Sequence, residues 1–180
     1  MTMDKIDYLK SSIRDIPDFP KPGIVFKDIT TLLSDPKAFN ISIELICEQY
    51  TDAKIDFIAG PESRGFIFGA PVAAKLNAGL TLIRKPGKLP AKTIEYSYEL
   101  EYGTDTLCIH EDAFAGVENA RVLIVDDLIA TGGSALATAE LIRKAGGTVV
   151  GIAALIELDF LDGRKRLEDN GLEVFSLLSY

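Results

Sequence analysis

The sequence predicts an α/β fold, with a twisted, mainly parallel β-sheet flanked by helices. Three observations predict it. Short runs rich in β-branched apolar residues, such as residues 122–125, alternate with segments whose apolar residues recur at helical spacing. These runs are apolar throughout, which is typical of strands buried on both faces. No shift in composition divides the 180 residues, which are enough for one well-cored domain and too few for two ordinary ones.

The first elements precede this alternation. Residues 6–13 carry apolar side chains at helical spacing and predict a short amphipathic helix. Residues 15–23 contain three prolines and a glycine, which exclude a helix and a central strand. Ser34 is predicted to cap a longer helix that has Pro36 in its first turn. That helix buries an apolar stripe formed by Phe39, Ile43, Ile46, Cys47 and Tyr50.

Strands and helices alternate from residue 55 onward. The predicted strands are 55–59, 80–83, 122–125, 148–155 and 172–177, and the predicted helices are 65–76, 134–145 and 163–169. A two-stranded excursion, 93–98 and 106–110, interrupts the alternation. Because parallel sheets of this kind bind ligands at the C-terminal ends of their strands, the functional site is expected there.

Composition excludes several classes of function. The net charge of −8 argues against a nucleic-acid partner. No apolar run is long enough to cross a bilayer, and no secretory signal is visible, so a cytoplasmic location is expected. Cys47 and Cys108 lie in apolar patterns and are expected to be buried free thiols. His110 is the only histidine of the sequence and is interpreted as structural.

The most informative segment is residues 122–134, where a buried strand delivers Asp126 and Asp127 to its C-terminal end. A turn of small residues, from Thr131 to Ser134, follows and leads into a helix. Backbone N–H groups in such a turn bind phosphate, whereas adjacent carboxylates suit hydroxyl groups or a metal-bound ligand. The pattern therefore predicts a sugar-phosphate site. The P-loop and dinucleotide motifs are both absent, and the alternative is a plain strand–turn–helix with two solvated acids.

This segment resembles the signature with which type I phosphoribosyltransferases bind 5-phospho-α-D-ribose 1-diphosphate (PRPP). The resemblance implies that both acids contact ribose hydroxyls and that the following loop holds the 5-phosphate. The implied PRPP- and AMP-binding residues are Asp126, Asp127, Ala130, Thr131, Gly132, Gly133 and Ser134. Many members of the family carry threonine at the last position, and serine keeps the hydroxyl.

Two further segments are candidates for binding the diphosphate. Residues 60–65 follow a strand, open a helix and include Ser63 and Arg64; alone, this pattern is equally typical of a capped helix start. In the family, the corresponding loop cradles the diphosphate with backbone amides and the arginine. Lys85 and Lys88 lie in the densest basic segment, which is either a solvated loop or a mobile loop that closes over the diphosphate.

Residues 19–28 resemble the nucleobase hood of the adenine-specific members of this family. From chemistry alone, Phe26 is expected in the core. The resemblance implies instead that Phe26 stacks on adenine and that the backbone at Val25 contacts the amino-bearing edge of the base. It also implies that Lys27 lies near the imidazole side of the base, where many members have arginine.

Residues 100–103, Leu-Glu-Tyr-Gly, match an element of the flexible catalytic loop in the same enzymes. The resemblance implies that Glu101, followed by Tyr102, acts at the base. Glu99 and Glu101 share one face of a strand, so spacing alone does not choose between them, and both could be solvated edge charges. The expected organisation is one domain, 1–180, with an N-terminal helix and hood at 1–33 and the flexible loop at 84–105.

The resemblance implies a purine-salvage enzyme that converts adenine and PRPP into AMP and diphosphate. It also implies Mg²⁺, held mainly through the PRPP ligand, and a homodimer without nucleic-acid or membrane partners. One alternative is transfer to another base, such as a 6-oxopurine or orotate, which would need a different hood. A second is a regulator that senses PRPP without catalysis, which would need a partner-binding module or a basic nucleic-acid face.

Overall fold

A five-stranded parallel sheet is the centre of the protein, and the elements before it form a smaller N-terminal unit. The computed structural model describes residues 4–100 and 103–180. In chain order its elements are α1 (Lys5–Ser11), β1 (Arg14–Pro17), β2 (Val25–Asp28), α2 (Thr30–Ser34), α3 (Pro36–Tyr50), β3 (Phe57–Pro61), α4 (Gly65–Leu76), β4 (Gly79–Ile83), β5 (Thr93–Leu100), β6 (Gly103–His110), β7 (Arg121–Ile129), α5 (Gly133–Lys144), β8 (Thr148–Glu157), α6 (Gly163–Glu168) and β9 (Val174–Ser179).

The sheet confirms the predicted fold class. Its strand order is β4-β3-β7-β8-β9, and every neighbouring pair is parallel. One core cluster joins α3 and α4 to one face of the sheet, where Ile46 and Phe68 are fully buried. A second cluster joins α5 to the other face through Leu141 and Ile142. Since helices cover both faces, the central strands are buried on both sides, which explains their continuous apolar runs.

Helix α3 begins with a cap that differs from the prediction. The carboxylate of Asp35 accepts hydrogen bonds from the amides of Lys37 (2.9 Å) and Ala38 (3.2 Å). Ser34 instead ends the short helix α2, which was not predicted, and its hydroxyl donates to the carbonyl of Thr30. The prediction of Ser34 as the cap was therefore wrong. A carboxylate directly before the first turn satisfies the free amides and also complements the helix dipole.

Two antiparallel ribbons flank the main sheet. Strands β1 and β2 pair with each other and lie outside the five-stranded sheet, as the prolines around them require. The predicted excursion is confirmed as the ribbon of β5 and β6, which is longer than expected. Reciprocal backbone hydrogen bonds between Arg84 and Cys108 join this ribbon to the end of β4 (3.0 and 2.7 Å). The ribbon is therefore held next to the C-terminal edge of the sheet.

The two thiols are buried and unpaired, as predicted. Burial raises the pKa of the Cys108 thiol to about 11 and also raises the pKa of Cys47. The buried Nε2 atom of His110 has no hydrogen-bond partner within the described part of the chain. In residues 4–100 and 103–180, no helix combines the length and apolar character needed to span a membrane.

Candidate active site

A cavity of about 450 Å³ opens at the C-terminal ends of β3 and β7. The sheet order reverses between these two strands, since β4 lies beyond β3 on one side and β8 beyond β7 on the other. Such reversal points are the usual ligand sites of open α/β sheets. Among the described residues, the lining comprises Pro61, Glu62, Ser63, Arg64, Lys85, Tyr98, Asp105, Leu107 and the continuous run 126–135.

The loop from Ala130 to Ser134 forms one wall of this cavity and leads into α5. Gly132 has φ of +75°, a left-handed conformation that glycine adopts without strain. In the described chain, no side chain caps the N-terminus of α5. Because the first amides of a helix lack partners within it, the start of α5 can bind an anion. The structure thus places all five predicted phosphate-loop residues together at the cavity.

Asp126 and Asp127 lie within β7, which continues four residues beyond the predicted strand end. The two acids differ in state, although both are buried, with 8% and 6% exposure. Burial, reinforced by the charge of Asp127, holds the pKa of Asp126 well above its usual value. Asp127 instead accepts a hydrogen bond from Nε of Arg64 at 2.5 Å. One acid thus favours its protonated form, and the other is paired with a cation.

Ser63 and Arg64 directly precede α4 and line the same cavity as the end of β7. About half of the Arg64 side chain is exposed, so its guanidinium has donors left for a ligand. Nearby, Glu62 accepts from Nε of Arg84 at 2.8 Å. Burial favours the neutral form of Glu62, but hydrogen bonds from Arg84 and from the Lys85 backbone outweigh it and lower its pKa. Sequence reasoning missed Glu62, although it lies inside the predicted cradle.

Lys85 reaches the cavity, where its ammonium forms an ion pair with Asp105. The same carboxylate accepts from the hydroxyl of Tyr98 at 3.2 Å. The hydrogen bond from Lys85 is the main cause that lowers the pKa of Asp105, whereas burial and then Asp105 raise the pKa of Tyr98 to about 12. Sequence reasoning missed Tyr98 and Asp105. They are cross-strand partners of β5 and β6, so the register of that ribbon is the signal that links them.

Lys88 and the hood residues lie outside the described cavity lining. Lys88 contributes its carbonyl to a hydrogen bond from Arg84 at 3.2 Å. On β2, Val25 is 51% exposed, and Phe26 is half-buried with its ring edge-on to another hood aromatic. Lys27 is 2.7 Å from an acidic neighbour on β1 and 4.1 Å above the ring of Tyr180.

Glu101 and Tyr102, the predicted catalytic pair, lie outside the described residues. Leu100 and Gly103 pair with each other on either side of them, at the end of the ribbon whose Tyr98 and Asp105 line the cavity. In the sequence, the predicted pair lies between these two described residues.

A loop at the start of α5, two acids at the end of β7 and the cations Arg64 and Lys85 line one cavity. Residues 28–178 match the family described as "Phosphoribosyl transferase domain". The class that the sequence resembles is thereby confirmed, and so is the fold expected from it.

Relatives narrow the family further. A protein of Syntrophotalea carbinolica called adenine phosphoribosyltransferase is 58% identical over 172 residues, covering 96% of this chain and 98% of the relative. The crystal structure of an adenine phosphoribosyltransferase from Thermoanaerobacter pseudethanolicus superposes with a TM-score of 0.90 at 55% identity, covering 97% and 99% of the two chains. A Saccharomyces cerevisiae adenine phosphoribosyltransferase, complexed with an imino-altritol bisphosphate and adenine, gives 0.88 at 39% identity, with coverages of 97% and 98%. The chain belongs to the adenine phosphoribosyltransferase family.

Proposed function

We propose that the protein transfers the 5-phosphoribosyl group of PRPP to N9 of adenine, which gives AMP and diphosphate. The observation that carries this proposal is the cavity at the reversal of the sheet, which is lined by the loop 130–134, by Asp126 and Asp127, and by Arg64 and Lys85. The yeast relative, whose structure holds a sugar-like bisphosphate together with adenine, supports the same pairing of ligands.

The phosphate loop, residues 130–134, holds the 5-phosphate of PRPP through its backbone amides. At the other end of the cavity, Ser63, Arg64 and Lys85 bind the diphosphate, and Lys88 joins them when the loop 84–105 closes. Both cations are paired with acids before the ligand arrives. When the diphosphate binds, it therefore replaces the carboxylate partner of each cation.

The two acids bind the ribose hydroxyls. Asp127 is an acceptor once Arg64 turns to the diphosphate, and protonated Asp126 can both donate and accept. Holding both hydroxyls fixes the face of the sugar at which C1 is attacked. Positioning of this kind supplies much of the rate when two rigid reactants must meet.

The hood, residues 1–33, selects the base. The Val25 backbone carbonyl accepts from the exocyclic amine of adenine, Phe26 stacks on the ring, and Lys27 stands on the imidazole side. A 6-oxopurine would place an acceptor against that carbonyl. Sites that depend on such a buried hydrogen bond discriminate by about 10⁴-fold or more.

In the reaction, the bond from C1 to the diphosphate oxygen breaks and the bond from N9 to C1 forms. Positive charge grows on the ribose as the first bond loosens, and the adenine N9 proton leaves. Glu101 accepts that proton, with Tyr102 beside it on the flexible loop. The cations of the cradle stabilise the charge that collects on the diphosphate.

Mg²⁺ fits this site as an ion that arrives with PRPP. In the part of the chain that the structure describes, no group of three metal-ligating side chains is present. Mg²⁺ commonly uses one or two carboxylates and completes its coordination with substrate phosphates and water. The ion would neutralise the diphosphate, and Asp127 is one of the carboxylates in the cavity lining that could share it.

A homodimer and a cytoplasmic location complete the proposal. The edge strand β4 exposes Leu80 (39%) and Leu82 (37%), and Ile67 on α4 is 38% exposed. An apolar sheet edge is a liability unless it is covered, which a second copy of the chain would do. Light scattering measures the assembly directly. Two buried unpaired thiols fit a reducing compartment.

The deciding experiment is a purine panel with product analysis. The protein is incubated with PRPP, Mg²⁺ and each of adenine, hypoxanthine and guanine, and nucleotide products are separated by chromatography. We expect AMP to form far faster than the nucleotides of the 6-oxopurines. Preferred use of hypoxanthine or guanine would show that the protein transfers the phosphoribosyl group to a 6-oxopurine instead. Tight PRPP binding without turnover of any base would indicate a sensor instead.

A further inference from the structure

The short helix α6 lies behind the phosphate loop, although it is distant in sequence and outside the cavity lining. A Cβ added to Gly163, its first residue, would lie 2.1 Å from the carbonyl oxygen of Ala130. A Cβ added to Gly132 would lie 2.9 Å from the carbonyl oxygen of Gly163. Real side-chain carbons do not approach backbone so closely, so the loop and the helix are in direct backbone contact.

An ion pair between Arg164 and the buried Glu157 holds α6 in this position. Nε of Arg164 donates to Glu157 at 2.9 Å, and its Nη1 donates to the carbonyl of Val174 at 2.7 Å. Glu157 is only 3% exposed and also accepts from the hydroxyl of Ser176 at 2.6 Å. These bonds join α6 to the ends of β8 and β9, so the backing of the loop is rigid.

From this platform, Arg166 reaches the loop itself. Its Nη1 donates to the carbonyl of Thr131 at 3.4 Å, and a Cβ added to Gly133 would be 3.7 Å from the same nitrogen. Among the ion pairs of the described residues, none includes Arg166. Its charge is therefore available to the loop and to what the loop binds.

We propose that Arg166 is a positioning residue for the 5-phosphate site. Its guanidinium holds the Thr131 carbonyl away from the ligand, so that the neighbouring amides face the cavity, and it adds a positive charge behind them. The proposal rests on the proposed function, because it assumes that the loop binds the sugar phosphate. It concerns the phosphate end of the cavity only, and the diphosphate end, at Arg64 and Lys85, should not depend on it.

The test compares Arg166→Ala and Arg166→Lys with Lys165→Ala, an exposed neighbour on the same helix that removes the same charge. Calorimetry measures binding of ribose 5-phosphate and, separately, of magnesium diphosphate. For Arg166→Ala we expect ribose 5-phosphate to bind about two- to fivefold more weakly, the range of a partly screened charge interaction, while diphosphate binding stays the same. Arg166→Lys should recover part of the loss, and Lys165→Ala should resemble the parent protein.

The results that would contradict the role of Arg166 can be distinguished from those that would contradict the proposed function. An unchanged ribose 5-phosphate affinity in Arg166→Ala, or an equal loss in Lys165→Ala, would overturn the role of Arg166. If Arg166→Ala binds neither ligand, that substitution disturbs the whole site, and Arg166→Lys becomes the deciding variant. A ribose 5-phosphate affinity in Arg166→Lys equal to that of the parent protein would then also reject the proposal. If the unmutated protein binds neither ligand, the proposed function fails instead.

Discussion

Asp126→Asn should make the protein more stable and less active. Asp126 is buried, and burial favours its neutral form, so an amide of the same shape replaces the state that the fold prefers. The amide oxygen can still accept the hydrogen bond that the Asp127 amide donates at 2.9 Å. On the proposed function, the loss of an ionisable group beside the ribose hydroxyls reduces turnover. Stability and activity therefore move in opposite directions.

The size of the effect depends on pH. Between the ordinary aspartate pKa of about 3.9 and the raised pKa of the native state, the unfolded chain has lost this proton while the native state keeps it. In that window, Asp126 lowers the unfolding free energy of the parent by up to about 1.4 kcal/mol for each pH unit of increase. The asparagine variant lacks this slope. For a chain of this length, the difference in Tm between variant and parent should widen by up to about 3–6 °C for each pH unit within that window.

Denaturation by guanidinium at several pH values, followed by circular dichroism, measures the slope directly. Asp105→Asn is the matched control in the same cavity, because the hydrogen bond from Lys85 lowers the pKa of Asp105. Its ionised form stabilises the native state above the ordinary pKa, and this contribution disappears on acidification. That variant should be less stable than the parent at neutral pH and approach it in acid. A stability difference for Asp126→Asn that is constant with pH, or negative throughout, would refute the reasoning.

Three further predictions concern the loop, the core and the hood. Glu101→Gln should reduce turnover far more than Glu99→Gln in steady-state assays, and equal losses would reject the choice of Glu101. Arg164→Ala should destabilise the protein by about 2–4 kcal/mol in urea, because it leaves the buried Glu157 unpaired; replacing both members with leucine or methionine should recover most of the loss. Tyr180→Leu removes the ring beneath the hood lysine and should raise the KM for adenine about two- to fivefold at constant KM for PRPP; an unchanged adenine KM would contradict the role of the ring.

Local pattern was sufficient for most of the fold. Helix α4 has the predicted bounds, and the order of strands and helices follows the alternation in the sequence. The predicted strand ended at residue 125 because the two carboxylates that follow are poor strand formers, but β7 continues to Ile129. Its pairing with β8 nevertheless continues past them, since Leu128 lies opposite Ile156 and Ile129 opposite Glu157. Such pairing is a long-range interaction, and composition does not report it.

The same distinction separates the predicted and the missed parts of the site. The phosphate loop is a continuous segment, so its spacing in the sequence is also its geometry. Tyr98 and Asp105 reach the cavity only through the register of the ribbon, and Arg166 only through the packing of α6 against the loop. None of these three side chains has a sequence signal of its own. Their positions at the site follow only from the three-dimensional arrangement of β5, β6 and α6.

The charge of the cavity resolves a difficulty that composition raises. A protein of net charge −8 is an unexpected receptor for a polyanion. In the cavity, Asp127 is paired with Arg64, Asp105 is paired with Lys85, and burial favours the neutral form of Asp126. A diphosphate must therefore compete with carboxylates for both cations. A divalent cation that arrives with the ligand offsets this competition, because it leaves less negative charge for the protein to match. On this argument, magnesium should strengthen diphosphate binding more in the parent than in Asp105→Asn, where one competing carboxylate has been removed.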